Sequence, residues 1–300
     1  MMYQPWRVDD DAIVDTDPFG VTIVNSIEEG LTENLHEIAV SIAVNAARTA
    51  RFRRSAGVDV AYTKSTLTDV VTESDRETEQ LIRSAVAAAR PEDGFVGEEF
   101  DATPSTSGLH WVVDPIDGTV NYLYGLSPCA VSVAVVAGDP WSDSWEVVVG
   151  VVASIFDDRV YSAITGKGAF LDGVRLRVGA ETEHKFTLAC TGMSYVPAVR
   201  TRQAEVVRHL LGEVRDIRRI GCASLEICAL AAGAVDFYYD QGLQPWDYSA
   251  ATLIAREAGA VVRGRAGAAR PSGDLTVAAN PNLIETLQPR LEQWLLDQNL

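Results

Sequence analysis

Asp114-Pro115-Ile116-Asp117-Gly118-Thr119 sets two carboxylates three residues apart behind the apolar run His110-Trp111-Val112-Val113. The run predicts a buried strand that delivers Asp114 at its end, and Pro115 and Gly118 predict a turn beyond it. Such a turn can aim both carboxylates and the Ile116 carbonyl at one point, and converging hard oxygens suit magnesium. If a helix starts at Thr119, the Gly118 and Thr119 amides form an anion site beside the metals. Taken alone, the same residues also read as an acidic surface turn.

Three further acidic stretches are weaker by themselves. Gly97-Glu98-Glu99 follows a short strand at Phe95-Val96 and reads equally as a solvated loop. Asp247, after Trp246, fronts the apolar helix Tyr248–Ala258 and is most simply its N-cap. Lys64, Asp69 and Asp75 lie in or beside a Ser/Thr-rich segment and would ordinarily be surface residues. Other catalytic equipment is sparse. The four histidines, at 36, 110, 184 and 209, are scattered, and no G-x-S-x-G elbow or H-E-x-x-H helix occurs. Gly166–Gly173 is neither a P-loop nor a dinucleotide fingerprint. Cys129, Cys190, Cys222 and Cys228 form no CxxC pair and read as buried thiols in a reducing compartment.

The elements that must position these acids follow from periodicity. Leu31, Leu35, Ile38, Ile42 and Ala46 predict a helix over 31–55, ending in the basic turn Arg51–Arg54 that complements its dipole. A second helix runs from near Ser74 to Arg90, where Pro91 stops it. Strands are predicted at Ala130–Ala137, Trp145–Phe156, Val160–Ile164 and Ala169–Leu171. The second half alternates: strands at Phe186–Cys190, Asp216–Ile220, Val235–Tyr239 and Val277–Ala279, helices at Arg202–Leu211, Leu225–Ala232, Tyr248–Ala258 and Leu283–Leu296. The order predicts a layered α+β (mixed α/β) architecture with halves at 31–180 and 181–300 and no linker between them. Residues 1–30, with Asp9, Asp10, Asp11, Asp15 and Asp17, read as an acidic N-terminal extension.

The 300 residues, 47% apolar and 22% charged, suffice for one large domain or two fused ones. A net charge of −17 argues against a nucleic-acid partner, since phosphate backbones need a clustered positive surface. It also sets a problem for handling phosphate, which bound divalent cations would remove. No apolar run approaches the roughly 20 residues that span a bilayer, so no membrane is expected. The N-terminus lacks a basic and an apolar signal region, so a cytoplasmic location is expected.

In order along the chain stand Lys64–Asp69 with Asp75, Gly97-Glu98-Glu99, Asp114–Tyr122 and Trp246-Asp247 with Glu257-Ala258-Gly259. This constellation resembles the inositol monophosphatase family, whose D-P-I-D-G-T-x-N-Y/F signature matches Asp114 through Tyr122, over roughly residues 31–298. Gly166–Phe170 with Gly173 resembles that family's central hairpin. The resemblance implies a five-layered αβαβα sandwich, usually homodimeric, that hydrolyses a small phosphate monoester. It implies two to three magnesium ions: one on Glu98, Asp114 and the Ile116 carbonyl, a second on Asp114, Asp117 and Asp247, and a weaker third near Glu98 through waters. Metals spanning a phosphate can activate water and stabilise the leaving alkoxide without a covalent intermediate. By the same resemblance Asp75 and Thr119 orient the attacking water, with Glu98 a nearby proton acceptor. Lys64 and Asp69 support them. Substrate faces Glu98, Ile116, Asp117, the Gly118 and Thr119 amides, Gly221-Cys222-Ala223, Asp240 and Asp247.

Two positions depart from the family pattern. Asp240, in Tyr238-Tyr239-Asp240, stands where Glu is common, which shortens reach toward a substrate hydroxyl by roughly 1.5 Å. Cys222 stands where a small hydroxyl residue is frequent. Both put substrate identity in question, not catalysis. Inositol monophosphate is the leading expectation, with histidinol phosphate, fructose 1,6-bisphosphate or an adenosine bisphosphate as alternatives. Arg218–Leu225 favours the inositol-type R-x-x-G-S/T-A-A pattern. An alternative of another class is a non-catalytic or moonlighting role through a protein partner.

Overall fold

The computed structural model describes residues 29–57, 60–63, 70–142 and 145–300. The acidic stretch up to residue 28, together with Lys64 and Asp69, lies outside the described residues. The first half runs α1 (Glu29–Ala56), β1 (Val60–Thr63), β2 (Val70–Thr72), α2 (Glu73–Ala89), β3 (Gly94–Gly97), β4 (Leu109–Asp117), α3 (Thr119–Tyr124), β5 (Ala130–Ala137), β6 (Glu146–Ser154), β7 (Val160–Ile164), β8 (Gly168–Leu171) and β9 (Val174–Arg175). The second runs β10 (Leu188–Thr191), α4 (Pro197–Leu211), β11 (Asp216–Arg218), α5 (Ala223–Ala231), β12 (Phe237–Asp240), α6 (Pro245–Glu257), β13 (Val261–Arg263), β14 (Thr276–Ala279) and α7 (Pro281–Asp297).

Sequence pattern sorts these elements into layers. On α1, Leu35, Ala39, Ile42, Ala43, Ala46 and Ala50 are buried at helical spacing, so one face meets a sheet and the other meets water. Together with α2, α1 covers one face of a seven-stranded sheet ordered β3-β4-β5-β6-β7-β8-β9. By contrast α5 and α6 are apolar nearly all round, and every residue from Tyr248 to Ala255 is buried. Helices of that kind need cover on two sides. They lie between the seven-stranded sheet and a five-stranded sheet ordered β11-β10-β12-β14-β13. The outer face of the second sheet is closed by α4 and α7, through Val206, Leu210, Leu283, Ile284, Leu287 and Leu291. The result is a five-layered αβαβα sandwich. Each fully buried Leu or Ile in these layers stabilises it by about 1.5–3 kcal/mol.

Interior strand β5 is buried at every position, which explains a run, AVSVAVVA, that Ser132 alone interrupts. Several predicted elements shift. The strand expected at Phe186–Cys190 begins at Leu188, after a 3₁₀ turn at His184–Phe186. The strand expected at Val235–Tyr239 is displaced to Phe237–Asp240, so Asp240 ends a strand. Strands β1, β2 and β13 have only three or four residues, too few for a periodic signal.

Candidate active site

Asp114–Asp117 is not a turn beyond a strand, as the sequence suggests, but the last part of β4; the turn comes at Gly118, and Thr119 opens α3. Asp114 lies opposite Ser132 and Asp117 opposite Ala130, so three steps on β4 match two on β5. The extra residue is a bulge. Pro115 has no N–H to give to the ladder and is tolerated there. The bulge carries Asp114, Ile116 and Asp117 to one end of the sheet, all buried. The Ile116 N–H donates to Asp114 Oδ1 (3.0 Å), which holds the bulge from inside. β3 pairs parallel to β4 up to Gly97 opposite Val113, so the chain leaves β3 at Glu98 one step after the last pair, as β4 reaches Asp114.

After the bulge the chain reverses through Gly118, whose φ of +91° is natural only for glycine. A Cβ at Gly118 would also stand 3.1 Å from the Gly221 carbonyl oxygen. The Gly118 turn and the Gly221 turn are therefore in van der Waals contact although 103 positions separate them (221 − 118).

Asp117 is the most tightly held of the acids. Its Oδ1 accepts from the Ala223 N–H (3.2 Å), and its Oδ2 accepts from the Ser224 N–H (2.6 Å) and Ser224 Oγ (2.5 Å). The Cys222 thiol donates to the same Oδ2 at 3.3 Å. These are the first groups of α5, so the carboxylate satisfies helix-terminal amides and lies at the positive end of the dipole. Burial pushes Asp117 above the ordinary carboxylate range, and these donors pull the other way.

Asp75 and Asp247 occupy equivalent places on two other helices. The Thr72 N–H donates to Asp75 Oδ2 (2.9 Å) at the start of α2, and the Gln244 N–H donates to Asp247 Oδ2 (2.7 Å) at the start of α6. Asp247 is thus the third residue of α6 closing back on Gln244, not the N-cap itself. Thr119 Oγ1 donates to Asp75 Oδ1 and to the Ile116 carbonyl, at 3.2 Å each, and so ties α2 to the bulge. Three helix N-termini and two strand ends converge on one cluster of acids.

The electrostatics record that convergence. Burial raises Asp75 to about 7, helped by the charges of Glu98 and Glu99. Asp247 rises well above its usual range, first through desolvation, then through Glu98, Asp117 and Asp240. Asp240 rises to about 7 through burial and the field of Asp117, opposed by Arg219. It accepts from the Gln241 N–H (2.7 Å) and Tyr238 Oη (3.3 Å), and packs against the Gly192 backbone.

Among the described residues no three His, Cys, Asp or Glu side chains stand as a preformed metal cage. The donor set nevertheless fits a hard cation. The groups holding Asp75, Asp117 and Asp247 are neutral N–H, O–H and S–H donors, each acid is pushed toward protonation, and they repel one another. Buried carboxylates in that condition are stabilised by a divalent ion. Glu98, Asp114, the Ile116 carbonyl, Asp117 and Asp247, the expected ligands, would offer a cation oxygen donors only.

Ser224 and Asn121, not singled out from sequence, belong to the same framework. Asn121 Nδ2 donates to the carbonyls of Pro128 (3.0 Å), Ile220 (2.9 Å) and Gly221 (3.4 Å), joining α3 to the Gly221 turn. Asn121 lies inside the Asp114–Tyr122 motif, so its type was visible. Ser224 carried no signal, because its partner Asp117 is 107 residues away.

Comparison with known proteins sets the class: the chain is a phosphoric monoester hydrolase. The profile of the inositol monophosphatase family matches residues 31–297, and the chain belongs to that family. It is 39% identical to an inositol-1-monophosphatase SuhB of Mycobacterium tuberculosis, over 87% of this chain and 94% of that protein. It is 33% identical to a Nus factor SuhB of Pasteurella multocida, over 86% of this chain and 97% of that protein. The solved extragenic suppressor protein suhB of Bartonella henselae superposes with a TM-score of 0.77 at 30% identity, covering 87% of this chain and 98% of that one. The family is metal-dependent. Among the described residues no helix is long and apolar enough to cross a membrane.

Proposed function

We propose that the chain hydrolyses a small phosphate monoester, inositol monophosphate foremost, in a magnesium-dependent reaction without a covalent intermediate. The observation that carries this is the convergence of Asp75, Glu98, Asp114, Asp117 and Asp247 beside the Gly118 turn. Glu98, Asp114 and the Ile116 carbonyl would hold one ion, Asp114, Asp117 and Asp247 would hold a second, and a weaker third would lie near Glu98. When bound, magnesium neutralises phosphate charge, activates water and stabilises the leaving oxygen. Thr119 Oγ1 gives its proton to Asp75 and the Ile116 carbonyl, so its lone pairs are free to accept from a water. Asp75, at the far end of that hydrogen bond, is placed to take on a proton that a water passes to Thr119. The Gly118 and Thr119 amides meet the phosphate, and Gly221–Ala223 with Asp240 form the wall that faces the alcohol. Residues 31–300 act as one catalytic unit, in a cytoplasmic homodimer.

Phosphate release over a panel of inositol monophosphate, histidinol phosphate, fructose 1,6-bisphosphate and an adenosine bisphosphate tests this. Turnover that needs magnesium and is greatest on the inositol ester is expected. Full turnover in EDTA, with metal-free protein verified by elemental analysis, would sink it. The likeness to a protein named a Nus factor favours a second role through a protein partner. That role would persist in a variant whose magnesium-dependent turnover is abolished.

A further inference from the structure

The turn at Ile220 and Gly221 is gripped from two sides. Asn121 holds its carbonyls, and the Glu226 side chain holds its amides: Oε1 alone accepts from the Ile220 N–H and the Gly221 N–H, both at 2.7 Å. Glu226 is 1% exposed, in a helix whose other early residues are apolar or small. The Cys190 thiol, on β10, lies near the same carboxylate, whose charge adds to burial in pushing the thiol up. A carboxylate is costly to bury, so two short amide bonds to one of its oxygens need a reason beyond packing.

Downstream geometry supplies one. Gly221 takes a φ of +88°, and Cys222 is extended at the N-cap of α5. Only with the turn so placed do Cys222, Ala223 and Ser224 present their donors to both oxygens of Asp117. The Gly221 carbonyl simultaneously seats against Gly118. Without an acceptor at 226, two buried amides are left unsatisfied and the turn shifts to find water. The first turn of α5 shifts with it, and Asp117 loses its register.

We propose that Glu226 is a positioning residue: by holding both amides of the 220–221 turn it fixes where α5 begins, which way Asp117 faces, and where the substrate wall Gly221–Ala223 stands. This rests on the reading of the site as a phosphatase centre. Because one oxygen accepts both bonds, a Gln side chain can reproduce them with its carbonyl, turning its NH₂ toward the weakly accepting Cys190 sulfur.

The test compares Glu226→Gln, Glu226→Leu and Glu226→Asp in the full chain. Each is assayed for phosphate release against magnesium concentration and substrate, with amide hydrogen exchange at residues 220–224 and thermal unfolding in parallel. Glu226→Leu is expected to lower kcat/KM on the order of 10–100-fold, to raise the magnesium midpoint, and to lose protection at Ile220 and Gly221. Glu226→Gln is expected to restore protection and most of the turnover. Glu226→Asp, which withdraws the oxygen by roughly 1.5 Å, should fall between them and serves if the Leu variant does not fold. A folded Leu or Asp variant with unchanged KM, kcat, magnesium midpoint and exchange overturns the proposal, as does a Gln variant as impaired as Leu. If the parent protein releases no phosphate from any ester, the phosphatase reading fails instead, and the exchange data still decide whether Glu226 holds the turn.

Discussion

Asp117→Asn isolates charge from shape at the site. Asn at 117 keeps the outline of Asp but replaces one oxygen by NH₂. At Oδ2 that group would face the Ser224 N–H at 2.6 Å, donor against donor. The amide therefore turns to keep its oxygen there and to place NH₂ opposite the Ala223 N–H, at the longer 3.2 Å contact. One buried amide loses its acceptor, a cost of about 1–3 kcal/mol. Against this, the substitution removes a buried charge whose protonation burial already favours. The two oppose, so the metal-free variant should unfold within a few degrees of the parent. Function should not be so spared. On the proposed reading a negative ligand is lost where a second ion would sit, so magnesium affinity should fall and the leaving oxygen should be less stabilised. A loss of about 10²-fold in kcat corresponds to roughly 2.7 kcal/mol, ordinary for the removal of one electrostatic element. Initial rates at limiting and saturating magnesium, with calorimetric titration of the ion, measure both effects. Parental turnover at limiting magnesium would show that Asp114–Thr119 is not the metal-binding motif.

The other expectations use the same geometry. Thr119→Val removes the hydroxyl shared between Asp75 and the Ile116 carbonyl; kcat should fall about 10²-fold with KM little changed, and a raised KM with unchanged kcat would assign Thr119 to binding. Asp240→Glu must move its carboxylate off Gly192, outward along the substrate wall; preference within the ester panel should change while the magnesium midpoint stays, and a shifted midpoint would make Asp240 part of the metal site. Asp75 and Asp240 are raised to about 7 and Glu226 to about 8, chiefly by burial. Between their unfolded values near 4 and those values the native state binds more protons than the unfolded one, so stability of the metal-free protein falls as pH rises. Its melting temperature should therefore drop from about pH 5 to about pH 8, and magnesium should flatten the slope. A metal-free protein that melts higher at the alkaline end would contradict the burial of these acids.

What the chain reveals before folding divides by the range of the interaction. Asp114, Ile116, Asp117, Gly118, Thr119 and Asn121 were all legible, because a motif is contiguous and its residue types state their chemistry. The bulge that aims them was not, because register belongs to β4 and β5 jointly, and a one-residue slip leaves no mark on either strand alone. The five layers were legible only in part. The largely apolar or small residues of α5 and of α6 from Tyr248 to Ala255 predict burial on all sides, but do not say that two sheets supply it.

Asp247 shows a signal that was present and passed over. Pro245 suits the first position of a helix, which places the cap at Gln244 and Asp247 one turn inside. Glu226 shows another: an acid within ASLEICALA must find donors, and the nearest free ones are the amides of its own helix entry. The two cases share a cause. Asp75, Asp117, Asp247 and Glu226 each spend an oxygen on amides at or just before the first turn of a helix. The helix termini that hold these acids in place also supply the positive ends that make the cluster tolerable without its cation. Placement of the acids and stability of the metal-free fold are thus one problem, solved by the same three helix entries, α2, α5 and α6. A change at any entry should therefore disturb the cluster before it disturbs the layers behind it.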